Sequence, residues 1–169
     1  KIKAAHMPKE ARTKAEAENI AVMNLDGKSG VEASQAELMS DILRTELYKT
    51  GKFNVMNRED MDAILKEIKY QQSGACDQTA CIVEMGQALG VARMIAGSVG
   101  LLGERYVINA KLINVATSKN EILVTEYLSK ADAADPQEAF ERVAVQLTGE
   151  KIAPATKSGA RPAAKKAYD

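Results

Sequence analysis

The strongest constraint in this sequence is an apolar period that changes and then changes again: a short continuous run, a helical stripe, a second short run and a second stripe. Asn19-Ile-Ala-Val-Met-Asn-Leu25 has the pattern of a buried strand and is closed by the turn signal Asp26-Gly27. Residues 31–49 then set Ala36, Met39, Leu43 and Leu47 on one helical stripe, flanked by Leu38 and Ile42, and the stripe stops at Gly51. Phe53-Asn-Val-Met56 repeats the strand pattern, and Asn57 can cap a second helix whose face is Met61, Ile64, Leu65 and Ile68. Strand, helix, strand, helix in that order calls for parallel pairing through a right-handed crossover.

The second half reads differently. After the loop Gln72-Ser-Gly-Ala-Cys-Asp-Gln78, a short helix carrying Ile82, Met85 and Leu89 ends at Gly90, and a third strand follows at Arg93–Leu101. Gly103-Glu104 turns the chain into Tyr106–Val115, where Tyr106, Ile108, Ala110 and Leu112 share one face and Asn109 and Lys111 the other. Such alternation leaves one face at least partly wet. Ala116–Asn120 makes the next turn and Ile122–Leu128 the last strand, an antiparallel meander. Asp135-Pro136-Gln137-Glu138 then combines a cap, a proline at the first helical position and a carboxylate at the third, ahead of Ala139, Phe140, Val143, Ala144 and Leu147. The expected fold is α/β: a single domain whose mixed sheet, parallel at its start and antiparallel at its end, is packed by about four helices.

The domain boundaries follow from composition. Residues 19–149 form the domain. Residues 1–18 are a lead-in in which Lys1 to Met7 read as cloning-vector residue, because a His6-Met7 pair is what a common cloning site encodes. Residues 150–169 are a disordered basic tail, with Lys151, Lys157, Arg161, Lys165 and Lys166 against Glu150 and Asp169. Any export signal is expected ahead of Lys1. The 23 basic and 23 acidic residues cancel, so the broad positive field of a nucleic-acid binder is missing and none is expected as partner. The longest apolar runs, such as Ile122-Leu123-Val124, fall far short of the roughly 20 residues of a membrane helix.

Read together, the pieces resemble the family that unites the periplasmic domain of the curli secretion protein CsgG, the amino-terminal domain of TolB and the LpoB-type activators of cell-wall synthases. The residues that carry the resemblance are Ile20-Ala-Val-Met-Asn-Leu25, Phe53-Asn-Val-Met-Asn-Arg58, Ala88-Leu-Gly-Val-Ala-Arg-Met-Ile-Ala-Gly-Ser98 and Tyr106-Val-Ile-Asn-Ala-Lys-Leu-Ile-Asn-Val-Ala-Thr117. Where the family continues the last segment into Asp-hydrophobic-x-Thr-Gly, this chain has Asn114 and Thr117-Ser118. The resemblance implies a non-enzymatic, periplasmic protein-interaction domain, tethered in full-length form to the outer membrane and acting in envelope assembly, secretion or regulation. Its partners would be envelope proteins, met at a sheet edge or on helix faces, with homo-oligomers among the arrangements open to it. Two alternatives stand beside this one: a nucleotide-binding protein using the Gly27-Lys28-Ser29 turn, and a subunit of a curli-type secretion channel.

No constellation of reactive groups competes with that reading, and no cofactor is expected. In the oxidising compartment that the resemblance implies, Cys76 and Cys81 can close a small ring worth about 2 kcal/mol, pinning an irregular loop onto the third helix; free buried thiols are the alternative. Zinc needs about four ligands, more than two cysteines and His6 supply, and the spacing is not Cys-x-x-Cys. Asp26-Gly27-Lys28-Ser29-Gly30 looks like the end of a phosphate loop, but the earlier glycine such a loop needs is Val22. Gly97, Gly100 and Gly103 are spaced by three within strand sequence, where small residues admit a close neighbour rather than a dinucleotide. Glu59, Asp60, Asp62 and Glu67 fall on the outer face of the second helix as solvated charge.

Overall fold

The structure, a computed structural model, describes residues 17–67 and 78–150. The vector-like lead-in, the loop that contains Cys76, Ile68 of the second stripe and the basic tail beyond Glu150 lie outside the described residues.

Chain order is β1 (Glu18–Val22), β2 (Asp26–Gly27), α1 (Ala33–Lys49), β3 (Phe53–Val55), α2 (Arg58–Glu67), α3 (Thr79–Leu89), β4 (Arg93–Leu102), β5 (Arg105–Asn114), β6 (Lys119–Ser129) and α4 (Gln137–Leu147), with a 3-10 turn at Lys130–Asp132 before α4. The strands form one mixed sheet in the order β3-β1-β4-β5-β6, and β2 pairs with β4 beyond the end of β1. β1 runs parallel to both β3 and β4, whereas β4, β5 and β6 form the antiparallel meander. The expected fold class therefore holds, and its physical origin is the one read from the period: buried runs joined by helices pair in parallel, alternating runs joined by tight turns pair antiparallel.

Each face of the sheet has its own core. Ile20 and Val22 of β1, Ile95 and Val99 of β4 and Ile108 of β5 pack with α1 and α4, around Leu43, Leu47, Phe140 and Val143. Ala21, Met94 and Ile113 point to the other face, where α2 and α3 supply Met61, Leu65, Ile82 and Leu89. β1 is central and covered on both sides, which is why its sequence shows no alternation. α2 starts as expected, with the Asn57 Oδ1 accepting the Asp60 N–H at 2.8 Å. α3 ends at Gly90 in the left-handed conformation, φ 73°, and the next N–H, of Val91, reaches back to the Gly86 oxygen.

Two local expectations are corrected. Asp26-Gly27 is not a simple turn: it rejoins the sheet as β2, beside Ser98 and Val99. The Leu25 N–H leaves the ladder to donate to the buried Ser40 Oγ at 2.7 Å, and the chain then returns to β4 because β1 has ended and an unpaired stretch of β4 is free. Gly27 is required there, since a Cβ would lie 2.5 Å from the Val31 carbonyl oxygen. The second correction concerns Asp135: α4 begins at Gln137 behind Pro136, without a side-chain cap. Cap chemistry sits one turn earlier instead, where Ser129 Oγ accepts the Asp132 N–H and donates to the Asp132 carboxylate.

Candidate functional site

The antiparallel half of the sheet is covered on one side only. Val124 and Leu128 of β6 turn inward onto α4, so their neighbours Leu123, Thr125 and Tyr127 must turn to the opposite face. That face is packed by α3 only near Met94, Ala96, Ile113 and Val115. Farther out it is bare: Leu123 is 71% exposed, Leu102 67% and Tyr127 49%. Leu123 lies opposite Lys111, Thr125 opposite Asn109 and Tyr127 opposite Val107. Thr125 Oγ1 is 2.8 Å from the Asn109 Oδ1 to which it donates, and the Arg105 guanidinium stands 4.4 Å above the Tyr127 ring, fixing its orientation.

β6 is also an edge. Among the described residues nothing pairs with its outer side, over eleven residues, whereas the opposite edge, β3, has three. Natural edges are usually blunted by proline, charged side chains, an inward-pointing charge or a bulge. β6 has no proline or glycine between Asn120 and Ser129, but it carries a register shift opposite Leu112 and Ile113 near its start and, in its middle, Glu126 turned onto Arg142 and Gln146 of α4. The helix faces near the Cys76–Cys81 loop present a different surface. α2 and α3 show solvent Glu59, Asp62, Glu84, Gln87 and Ala88, and neither carries a large exposed apolar side chain. Of the two expected kinds of contact surface, the edge is the one with apolar chemistry.

The start of β6 is held by charge. Arg93 lies between Glu18 and Glu121, donating from Nε to Glu121 Oε1 at 2.7 Å and from Nη1 to Glu18, and Asn114 adds a bond to Glu121 at 2.8 Å. Hydrogen bonding from Arg93, then from Asn114, holds the Glu121 carboxyl below the usual carboxylate range. The same bond to Glu121 raises Arg93.

A second polar cluster lies outside the ends of β1 and β3, where α1 and α2 leave toward opposite faces. Arg44 is buried and donates to the Val22 carbonyl, to Asn24 Oδ1 and to Asp41 Oδ1. Asp41 also faces Arg58, which pairs with Glu37. Burial lowers Arg44 from its ordinary value, and the bond to Glu37 raises Arg58. Such a crevice is where ligands often sit in open α/β sheets. Here it is filled by the chain's own ion pairs, which lock α1 to β1 and to the start of α2. The sequence alone does not single out Arg44, because a long cation on a helix is ordinarily solvent-facing; the available signal is its spacing of four from Ser40, itself four from Ala36.

The other candidates named from the sequence resolve as follows, with Cys76 outside the described residues. Cys81 sits partly buried at the start of α3, packed on the second core. The Gly27-Lys28-Ser29 turn is committed to the sheet: Lys28 N–H donates to Val99 O, Leu101 N–H to Ser29 O, and the Lys28 ammonium pairs with Asp26 at 3.2 Å. The Lys28 amide and the Ser29 carbonyl are thus engaged by β4. Gly97 and Gly100 admit close neighbours, as expected: a Cβ at Gly97 would lie 2.0 Å from the Asn109 carbonyl oxygen, and one at Gly100 3.3 Å from Lys28 Cβ. Glu59, Asp60, Asp62 and Glu67 are all exposed. No helix among the described residues is long and apolar enough to cross a membrane.

Comparison with known proteins agrees with this architecture. The family model described as curli production assembly/transport component CsgG matches residues 9–107. The LpoB C-terminal domain from Salmonella enterica superposes with a TM-score of 0.57 at 12% identity, covering 68% of this chain and 84% of that one. Lipoprotein GNA1162 from Neisseria meningitidis gives 0.55 at 13% identity over 66% and 79%. A PelC dodecamer from Paraburkholderia phytofirmans gives 0.54 at 10% identity over 79% and 90%. At such identities these structures speak to the fold. No curated protein matches the chain by sequence.

Proposed function

The chain belongs to the family of the curli production assembly/transport component CsgG, and from that premise we propose that it is a non-enzymatic protein-interaction domain of the bacterial cell envelope. It acts in the periplasm, in assembly, secretion or regulation of an envelope complex, through residues 19–149, with the full-length protein tethered to the outer membrane. The observation that carries the reading is the β6 edge, eleven residues long and bordered by exposed Leu123 and Tyr127. An open strand recruits a partner through its backbone, and the side chains beside it set which partner. In the same compartment Cys76 and Cys81 close a ring that fastens the connection between α2 and α3. A pore-forming role finds less support, because the long hairpin of β5 and β6 is used by the core sheet.

A photo-crosslinking residue at Tyr127, compared with one at Gln87 on the outer face of α3, tests the proposal in cells separated into envelope and cytosolic fractions. The expected result is adducts to protein in the envelope fraction from position 127 and few from 87. Recovery of the chain in the cytosol without adducts would sink the reading. Nucleotide added to the purified protein is expected to leave its melting temperature unchanged, with Lys28→Ala behaving as the parent; a shift abolished by that substitution would revive the nucleotide alternative.

A further inference from the structure

We propose that the bare face of β5 and β6 seats an acidic amphipathic helix supplied by a partner protein. This rests on the reading of the β6 side of the sheet as a contact surface and states the chemistry of the partner. On one face of the sheet α4 covers β5 and β6. On the other, α3 packs only near Met94, Ala96, Ile113 and Val115, and Leu102, Leu123 and Tyr127 beyond them are exposed. Gly86 holds α3 tight against that end, since a Cβ there would lie 2.6 Å from Val115 Cγ2 and 2.8 Å from Met94 Cγ. The strip left open is two strands wide, about 10 Å. One helix has a diameter of about 10 Å, so the strip takes a single helix laid beside α3.

α3 also decides what can enter. It stands about 10 Å proud of the strands it covers, so the strip is recessed and a flat surface such as a bilayer meets α3 first. The outer faces of α2 and α3 expose Glu59, Asp62, Glu67 and Glu84, which repel an anionic surface. The floor of the strip has the opposite sign. Arg105 and Lys111 rise from its two ends; the Arg105 guanidinium lies over the Tyr127 ring, and among the described residues neither cation has a carboxylate partner. The nearby Asp26 and Lys28, beside Ser98 and Val99, pair with each other at 3.2 Å. Leu123 lies opposite Lys111, and Tyr127 opposite Val107, so each end of the strip joins a cation to apolar side chains. The row between them, Ser98, Asn109 and Thr125, is small and polar. Six residues of β5 separate the two cations by about 20 Å, the length of a helix of about 13 residues. Such a helix, with its apolar stripe on the strands and carboxylates along its flanks, answers both cations and both apolar ends.

The test uses the full chain and two synthetic helical peptides of about 14 residues with the same leucine stripe, flanked by glutamate in one and by lysine in the other. Fluorescence anisotropy at low salt is expected to show the glutamate peptide binding about ten-fold tighter than the lysine peptide. Arg105→Glu combined with Lys111→Glu is expected to invert that preference with circular dichroism unchanged, and Leu123→Ser to weaken the glutamate peptide without inverting it. Equal binding of the two peptides, a preference that survives the double reversal, or no binding of either overturns the proposal. Co-sedimentation of the parent with phosphatidylglycerol vesicles, lost in the double variant, also overturns it and gives the face to a lipid surface. In cells the double variant is expected to lose the adducts formed from position 127. Adducts that persist in it overturn the acidic helix and leave the interaction-domain reading standing; a parent that forms none removes both.

Discussion

Arg44 Nη2 lies 2.6 Å from the carbonyl oxygen of Val22, so a helix side chain closes the last backbone acceptor of the central strand. The guanidinium is buried, and its remaining bonds run to Asn24 and Asp41. Replacing it by alanine strips the hydrogen bonds from three acceptors and leaves a void between α1 and β1. Arg44→Ala is expected to destabilise the fold by about 3 kcal/mol, read as a lower denaturant midpoint. Arg44→Lys should lose nearly as much, since an ammonium cannot span the carbonyl and the Asp41 carboxylate in one plane.

The turn from β5 to β6 places Ser118 at φ 62°, in the left-handed region, while Asn114 accepts the Thr117 N–H through its side chain and the Ser118 N–H through its carbonyl. Glycine, found at the matching point of the family pattern, adopts that conformation without the Cβ penalty. Ser118→Gly is expected to raise stability by up to about 1 kcal/mol, and Ser118→Val to lower it by more. Thermal melts of the two variants against the parent read the sign directly.

Glu121 gives a pH dependence of known sign. Its carboxyl is depressed in the folded chain by Arg93 and Asn114, so the stabilisation it provides is full above the ordinary carboxylate value and is lost as pH falls through the lower folded value. Arg93→Gln should flatten the acid limb of the stability curve and leave the neutral region little changed, because the group is a third exposed and solvent screens it. Denaturant titrations between neutral and acid pH check this; a parent and variant that lose stability in parallel would remove Glu121 from the acid response.

The Cys76–Cys81 ring predicts that mass spectrometry of the unreduced protein finds the peptides joined and the intact mass lower by two hydrogens. Reduction, or Cys76→Ser with Cys81→Ser, should cost about 2 kcal/mol and act mainly on α3, seen as faster amide exchange between Thr79 and Val83. Free thiols that alkylate without reduction would refute the ring.

Much of the architecture could be read from residue order because it rests on local period. Ile20 to Val22 are apolar without alternation and lie in the covered centre of the sheet; Tyr106 to Leu112 alternate and lie where one face is wet. What period cannot carry is the partner of a polar group. Ser40 looks like an interruption of the α1 stripe until Leu25 is seen to need an acceptor. Asp26-Gly27 looks like a turn because nothing local says that β4 outlasts β1. The candidate surface is half visible in the residues: Ile122 to Leu128 all read as strand, but only the inward course of α4 decides that Leu123 and Tyr127 are the exposed pair.

Glu18 pairs with Phe53, and Glu150 reaches Lys52 in an ion pair of 3.3 Å, so the first and last elements of the folded part meet beside β3. β3 and β6 bound opposite sides of the sheet. Anything joined to either end of this domain, an anchor or a further module, is thereby moored on one flank while the far flank stays accessible. The same closeness of ends means that a short peptide bridge between them, with new termini cut at Gly103-Glu104, should yield a permuted chain that still folds.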